Sequence, residues 1–197
     1  MKMPLESYVK FRAEWQRSPI SPDPRDLQII NRIRSSLKKR GMIGALADGC
    51  GYGNISLRLL DNTFLITASA TGHLKMLDMS ALALVESADI AKNSIVCRGL
   101  RIASSESLSH AACYQSNPFI STVIHIHHAE LWKRYYSELP CTEVSAAYGT
   151  VEMAKNIAEI VCRNTLPRGR ILMGGHPDGL LSYADEPDTA LNLLLEL

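Results

Sequence analysis

Residues 119–127, Phe-Ile-Ser-Thr-Val-Ile-His-Ile-His, constrain the fold more than any other stretch of the sequence. They are apolar and β-branched enough for a buried strand, around which the rest of the chain must be arranged. Side chains alternate across a strand, so His125 and His127 share one face and His128 should point away. One cation could take both imidazoles. The i, i+2 spacing alone is equally compatible with a surface or hydrogen-bonded pair.

Other segments show their own periodicities. Leu27, Ile30, Ile33 and Leu37 recur at helical spacing and predict an amphipathic helix over 25–40, ended by Gly41. Before it, residues 5–17 read as a first helix and 18–24, rich in Pro, Ser and Asp, as a breaker, so that 1–24 forms a helical arm and linker. The glycine-rich run Gly49-Cys50-Gly51-Tyr52-Gly53-Asn54 introduces a hairpin of 55–60 and 64–67 about an Asp61-Asn62 turn. A second strand pair is expected at 83–88 and 94–98, and a helix at 105–115. Later come a helix at 151–162, a strand at 170–173, a short strand after Gly179 and a closing helix from Glu186.

Bulk composition bounds the partners. A chain of 197 residues with 46% hydrophobic and 21% charged content suits one globular domain spanning 1–197. Twenty-one basic and twenty acidic residues give a net charge of +1. Nucleic-acid binding is disfavoured, because phosphate affinity needs concentrated positive charge and Lys38-Lys39-Arg40 has a simpler role at a helix C-terminus. The five cysteines are odd in number and lack a C-x-x-C pair, which argues against a disulfide framework or thiolate metal site. No apolar run reaches the ~18 residues of a membrane span, and the N-terminus lacks a signal-peptide core. The expected setting is cytoplasmic.

Four further positions could carry chemistry. Glu106 follows Ser104-Ser105 in the first turn of a helix, where the dipole favours a carboxylate in any case. His110 lies one turn on, as a fifth ligand candidate or, more simply, a buried hydrogen-bonded neighbour. His176 follows a strand and two glycines. Gly51-x-Gly53 lacks the lysine of a P-loop, yet can present backbone N–H groups and Asn54 to an anion.

Taken in order, Gly53-Asn54-Ile55-Ser56, Ile66-Thr67-Ala68-Ser69, Ser104-Ser105-Glu106 with His110, His125-Ile126-His127 and Gly175-His176 resemble the class II aldolase/adducin family from about residue 37 to residue 197. The resemblance implies a three-layer α/β/α fold with a mixed, largely antiparallel central sheet. It implies a divalent metal, zinc being the first expectation, held by Glu106, His125, His127 and His176, with Glu106 also the catalytic acid/base. It assigns phosphate or substrate binding to Gly53, Asn54, Ser69, Ser104 and Ser105, and implies a homotetramer with a small-molecule substrate.

The activity so implied is a lyase reaction, cleavage of a small hydroxy-carbonyl compound, possibly phosphorylated, through a metal-stabilised enediolate. A dehydratase, decarboxylase or epimerase would use the same residues, and a non-catalytic adducin-like assembly module is the other alternative. Three positions depart from the family pattern. Ala70 stands where glycine is common, Pro177-Asp178 separates His176 from Gly179, and the proton-donating tyrosine has only Tyr135, Tyr136 and Tyr148 as candidates.

Overall fold

The computed structural model describes residues 11–46, 49 and 51–197. Its sheet is built from β1 (Arg12–Gln16), β4 (Asn54–Arg58), β5 (Phe64–Thr67), β6 (Leu82–Asp89), β7 (Ser94–Arg98), β8 (Thr122–His127), β9 (Gly169–Leu172) and β10 (Gly179–Ala184). The eight strands run in the order β1-β7-β6-β5-β4-β8-β10-β9. Among the described residues the β1–β7 ladder of this sheet is parallel, and its other ladders are antiparallel. A separate ribbon pairs β2 (Gly44–Ala45) with β3 (Gly51–Tyr52).

Helices α1 (Pro24–Lys39), α2 (Ser107–Ser116), α3 (Ala129–Tyr135), α4 (Val151–Arg163) and α5 (Pro187–Leu195) complete three layers. Alternation along the strands separates two cores. Phe64, Ile66, Val123, Leu181 and Tyr183 pack with α2 and with Met153, Ala154, Ile157 and Val161 of α4. Ile55, Leu57, Ile124, Ile126 and Leu180 pack on the other side with Ile30, Ile33 and Leu37 of α1 and Ala190, Leu191 and Leu194 of α5. The α1 residues are fully buried, which stabilises the fold by roughly 1.5–3 kcal/mol per side chain. The three-layer, mostly antiparallel architecture expected from the sequence is therefore the one observed.

The helical arm is corrected. Arg12–Gln16 is an edge strand in parallel register with Ser94–Arg98, and residues 5–10 of the expected helix lie outside the described residues. An isolated helix of this length is marginal, whereas β7 offers an edge of backbone donors and acceptors. Tertiary contacts settle the competition: Phe11 is buried in the first core and Trp15 donates its indole N–H to the Gly99 carbonyl at 3.0 Å. Helix α1 begins at Pro24, one residue before the expected start, because the Asp23 side chain caps the Arg25 N–H. Helix α3 had no counterpart in the sequence reading. His128 caps it through a hydrogen bond from the Leu131 N–H, so His128 turns from its neighbours, as alternation requires.

Candidate metal centre and substrate cleft

Strand β8 brings the histidine pair to the layer occupied by α2. Val123 packs in the α2–α4 core, and by alternation His125 and His127 project from the same face. His125 is 1% exposed, and its Nδ1 lies 3.2 Å from the Leu180 carbonyl. A carbonyl can only accept, so Nδ1 carries the proton and Nε2 keeps its lone pair. That Nε2 sits 3.1 Å from Nε2 of His127.

His176 arrives from the β9–β10 connection. A Cβ at Gly174 or Gly175 would collide with the carbonyls of Thr142 and Ala146, so glycine is what lets this segment press against its neighbour. The His176 N–H bonds the Met173 carbonyl at 3.1 Å, and the His176 carbonyl accepts from Gly179 at 2.9 Å. The intervening Pro177-Asp178 is accommodated because Asp178 adopts a left-handed φ of 66°, which Asp tolerates better than most residues. One ring nitrogen from each of His125, His127 and His176 then lies within 4.8 Å of the other two, a group that could hold a metal ion.

Glu106 approaches His176 from the opposite element. It occupies the N-cap of α2 instead of the first turn, and is 3% exposed. Its Oε2 accepts from Ser109 Oγ at 2.7 Å, and its Oε1 is 4.0 Å from His176 Nε2. Burial pushes His125 well below the ordinary histidine range, with His127, His176 and His110 adding to the effect. Burial also lowers His127, against the opposing charge of Asp178. Neutral imidazoles are the form that can donate to a cation.

These groups open onto a cleft of about 1250 Å³. Gly53, Asn54, Ser69, Ser104 and Ser105 line it together with Glu106 and the three histidines, so the structure brings every site residue expected from the sequence to one cavity. Gly53 has φ 74°, the left-handed region that glycine enters without strain. Ala70 has φ 58°, so the backbone keeps a glycine-like conformation although the side chain is alanine. Ser104 is partly committed elsewhere, its carbonyl accepting from Ser107 N–H at 3.0 Å and Ser107 Oγ at 2.6 Å.

Arg34, Lys38 and Arg101 are not among the site residues expected from the sequence. Arg34, only 2% exposed, donates from Nη2 to the carbonyls of Thr71 and Gly72, both at 2.8 Å, and from Nη1 to Leu74 at 2.5 Å. Lys38 reinforces it with a 2.9 Å bond to the Leu74 carbonyl. Two α1 cations thus hold the carbonyls of the turn after β5, whose residues 68–73 line the cleft. The available signal was an arginine inside the apolar stripe of Ile30, Ile33 and Leu37. Arg101 also lines the cleft, as does Tyr148, whose ring lies 4.6 Å from that of His176. Tyr135 instead donates to the Leu197 carbonyl and Tyr136 packs on Trp132, leaving Tyr148 as the cleft tyrosine of the three.

Residues 39–197 match the class II aldolase and adducin N-terminal domain. No curated protein is significantly similar in sequence. Among solved structures, YgbL of Klebsiella pneumoniae, named as a candidate aldolase, epimerase or decarboxylase, is 19% identical with a TM-score of 0.65, covering 90% of this chain and 86% of its own. An L-fuculose 1-phosphate aldolase is 22% identical with a TM-score of 0.66, covering 89% of this chain and 82% of its own. A sugar-phosphate aldolase of Thermotoga maritima is 16% identical with a TM-score of 0.66, covering 87% of this chain and 90% of its own. At these identities the likeness is one of fold.

Proposed function

Since this chain belongs to the class II aldolase and adducin family, we propose that it is a metal-dependent lyase of the aldolase type, cleaving a small hydroxy-carbonyl compound that carries a phosphate. The observation that carries the reading is the convergence of three imidazoles from β8 and the β9–β10 turn with the α2 carboxylate on one cleft. The donor set fits a divalent cation, zinc first. Zinc–nitrogen bonds of about 2.0–2.1 Å place tetrahedral neighbours roughly 3.3 Å apart; the two strand imidazoles are 3.1 Å apart, and all three ring nitrogens lie within 4.8 Å of one another, so His176 would draw in by about an ångström on binding. His125, His127, His176 and Glu106 are the proposed ligands.

Such a cation, when bound, supplies Lewis acidity toward a substrate carbonyl and its adjacent hydroxyl. The chain's own residues do the rest. Glu106, buried at the N-cap of α2, would take the hydroxyl proton as the carbon–carbon bond breaks, through a carboxylate oxygen that the entering substrate releases from ligand duty. We assign to Tyr148, which lines the cleft with its ring against His176, the return of a proton to the leaving fragment. Gly53, Asn54, Ser69, Ser104 and Ser105 orient the phosphate, and Arg101 adds positive charge to the same cavity.

The test is incubation of zinc-supplemented protein with a panel of ketose phosphates, following aldehyde release. Turnover of at least one is expected, and none across the panel would count against aldol cleavage. A second reading, an epimerase, decarboxylase or dehydratase on the same residues, draws support from the likeness to YgbL. Product analysis separates the two: these reactions invert a centre or release carbon dioxide or water without an aldehyde fragment. A non-catalytic adducin-like module would instead hold no metal. We further propose a cytoplasmic homotetramer, to be measured by light scattering.

A further inference from the structure

Beneath Asn54 runs a buried chain of side chains that the reaction itself does not use. His110, with no exposed surface, places Nε2 2.5 Å from Asn54 Oδ1 and Nδ1 2.6 Å from Ser56 Oγ. Ser56 Oγ, equally buried, is in turn 2.6 Å from the Tyr114 hydroxyl. Asn54 and Ser56 lie two apart on β4, on the face toward α2, and His110 and Tyr114 lie one helical turn apart on α2. The four therefore form one rung between a strand and a helix.

The sense of this chain follows from counting hydrogens. An amide oxygen can only accept, and Asn54 Oδ1 is the atom that faces His110 Nε2, so Nε2 carries a hydrogen and Nδ1 of a neutral ring accepts from Ser56 Oγ, which accepts in turn from Tyr114. Ser56 then has its own hydrogen for His110 Nδ1. Complete burial lowers His110 to about 3, so the ring is neutral and carries one hydrogen. With Nδ1 accepting, that hydrogen sits on Nε2 and goes to Asn54 Oδ1. Running the chain backwards would set the lone pair of His110 Nε2 against the Asn54 amide oxygen, acceptor facing acceptor.

We infer that His110, oriented by Ser56 and Tyr114, is a positioning residue that locks the Asn54 amide with its oxygen inward and its Nδ2 amino group presented to the cleft as a fixed donor. Asn54 borders the cavity, so an inward oxygen leaves the two amide hydrogens for whatever enters. Such a group favours an acceptor with no hydrogen to give, namely a phosphate or carboxylate oxygen. A freely flipping amide would serve a hydroxyl equally well. The choice of ligand rests on the phosphate reading above, but the lock does not.

Two NMR measurements on ¹⁵N-labelled protein test the two parts separately. In the as-purified wild type, with His110 ring signals identified through their loss in His110→Gln, Nε2 is expected to be the protonated nitrogen across roughly pH 5 to 8. An Nδ1-protonated or doubly protonated ring would overturn the lock. Inorganic phosphate is then titrated while the Asn54 side-chain amide, assigned with Asn54→Asp, is observed. Saturable shifts are expected, with affinity about fivefold to tenfold weaker in Ser56→Ala and recovered in Ser56→Thr, the effect of one hydrogen bond. Unchanged affinity in Ser56→Ala would overturn the positioning role. No phosphate binding by a wild type whose His110 is Nε2-protonated would sink the phosphate reading, and the lock would stand on its tautomer.

Discussion

Four buried or largely buried histidines sit within one layer of this protein, and they divide into two kinds. His110 spends both ring nitrogens on protein partners, Asn54 on one side and Ser56 on the other. His125, His127 and His176 turn one nitrogen each toward a common point beside a cleft. Burial alone does not separate the groups, since His110 and His125 are equally sequestered. What separates them is where the lone pairs go. A closed set of hydrogen bonds fixes structure, while a convergent set of lone pairs invites a cation.

That contrast can be broken most severely at Glu106. Glu106→Gln keeps size and the Ser109 hydrogen bond but loses the proton-accepting charge, so turnover of any substrate found should fall by about 10²- to 10⁴-fold with little change in melting temperature. Next, His125→Ala should lower zinc affinity by at least about 100-fold, read by competition with a chromogenic chelator. His110→Gln should leave that affinity within about twofold, because His110 ligates nothing here. Equal losses in both variants would erase the distinction.

The closed class should answer to stability measurements instead. Arg34→Met strips the carbonyls of Thr71, Gly72 and Leu74 of a buried donor, for an expected loss of about 2–3 kcal/mol in urea unfolding. Smaller still is the pH effect of His110. Its folded pKa of about 3 lies below the ordinary value of 6.5, so the unfolded chain binds the extra proton between those limits. Stability from this group is therefore full above pH 6.5 and declines as pH falls toward 3, by on the order of 1 kcal/mol per pH unit. Denaturation of metal-free protein should flatten in this range for His110→Gln.

Much of this was legible beforehand, for identifiable reasons. The strand carrying His125 and His127 announces itself through β-branched residues, and α1 through its apolar period. Both signals are local. The N-terminal strand was misread because its partner, β7, lies some eighty residues away, and local pattern carries no trace of an available edge. His110 is the buried, hydrogen-bonded histidine that its spacing suggests, but its partners Asn54 and Ser56, the Tyr114 beyond them and the Arg34 clamp escaped for the same reason. Each joins residues from different elements, and only the folded arrangement decides whether a buried polar group is paired. Ala70 shows the converse: alanine stands where the family pattern has glycine, yet φ 58° keeps the glycine-like backbone.

The proposed cation binds where β8, the β9–β10 turn and the start of α2 meet. The most direct test is a crystal of zinc-supplemented protein measured across the zinc absorption edge. A single anomalous peak about 2.0–2.2 Å from ring nitrogens of His125, His127 and His176, with the Glu106 carboxylate or an exogenous ligand completing the set, is the predicted result. Zinc bound at another position, or none at this one, would contradict the account.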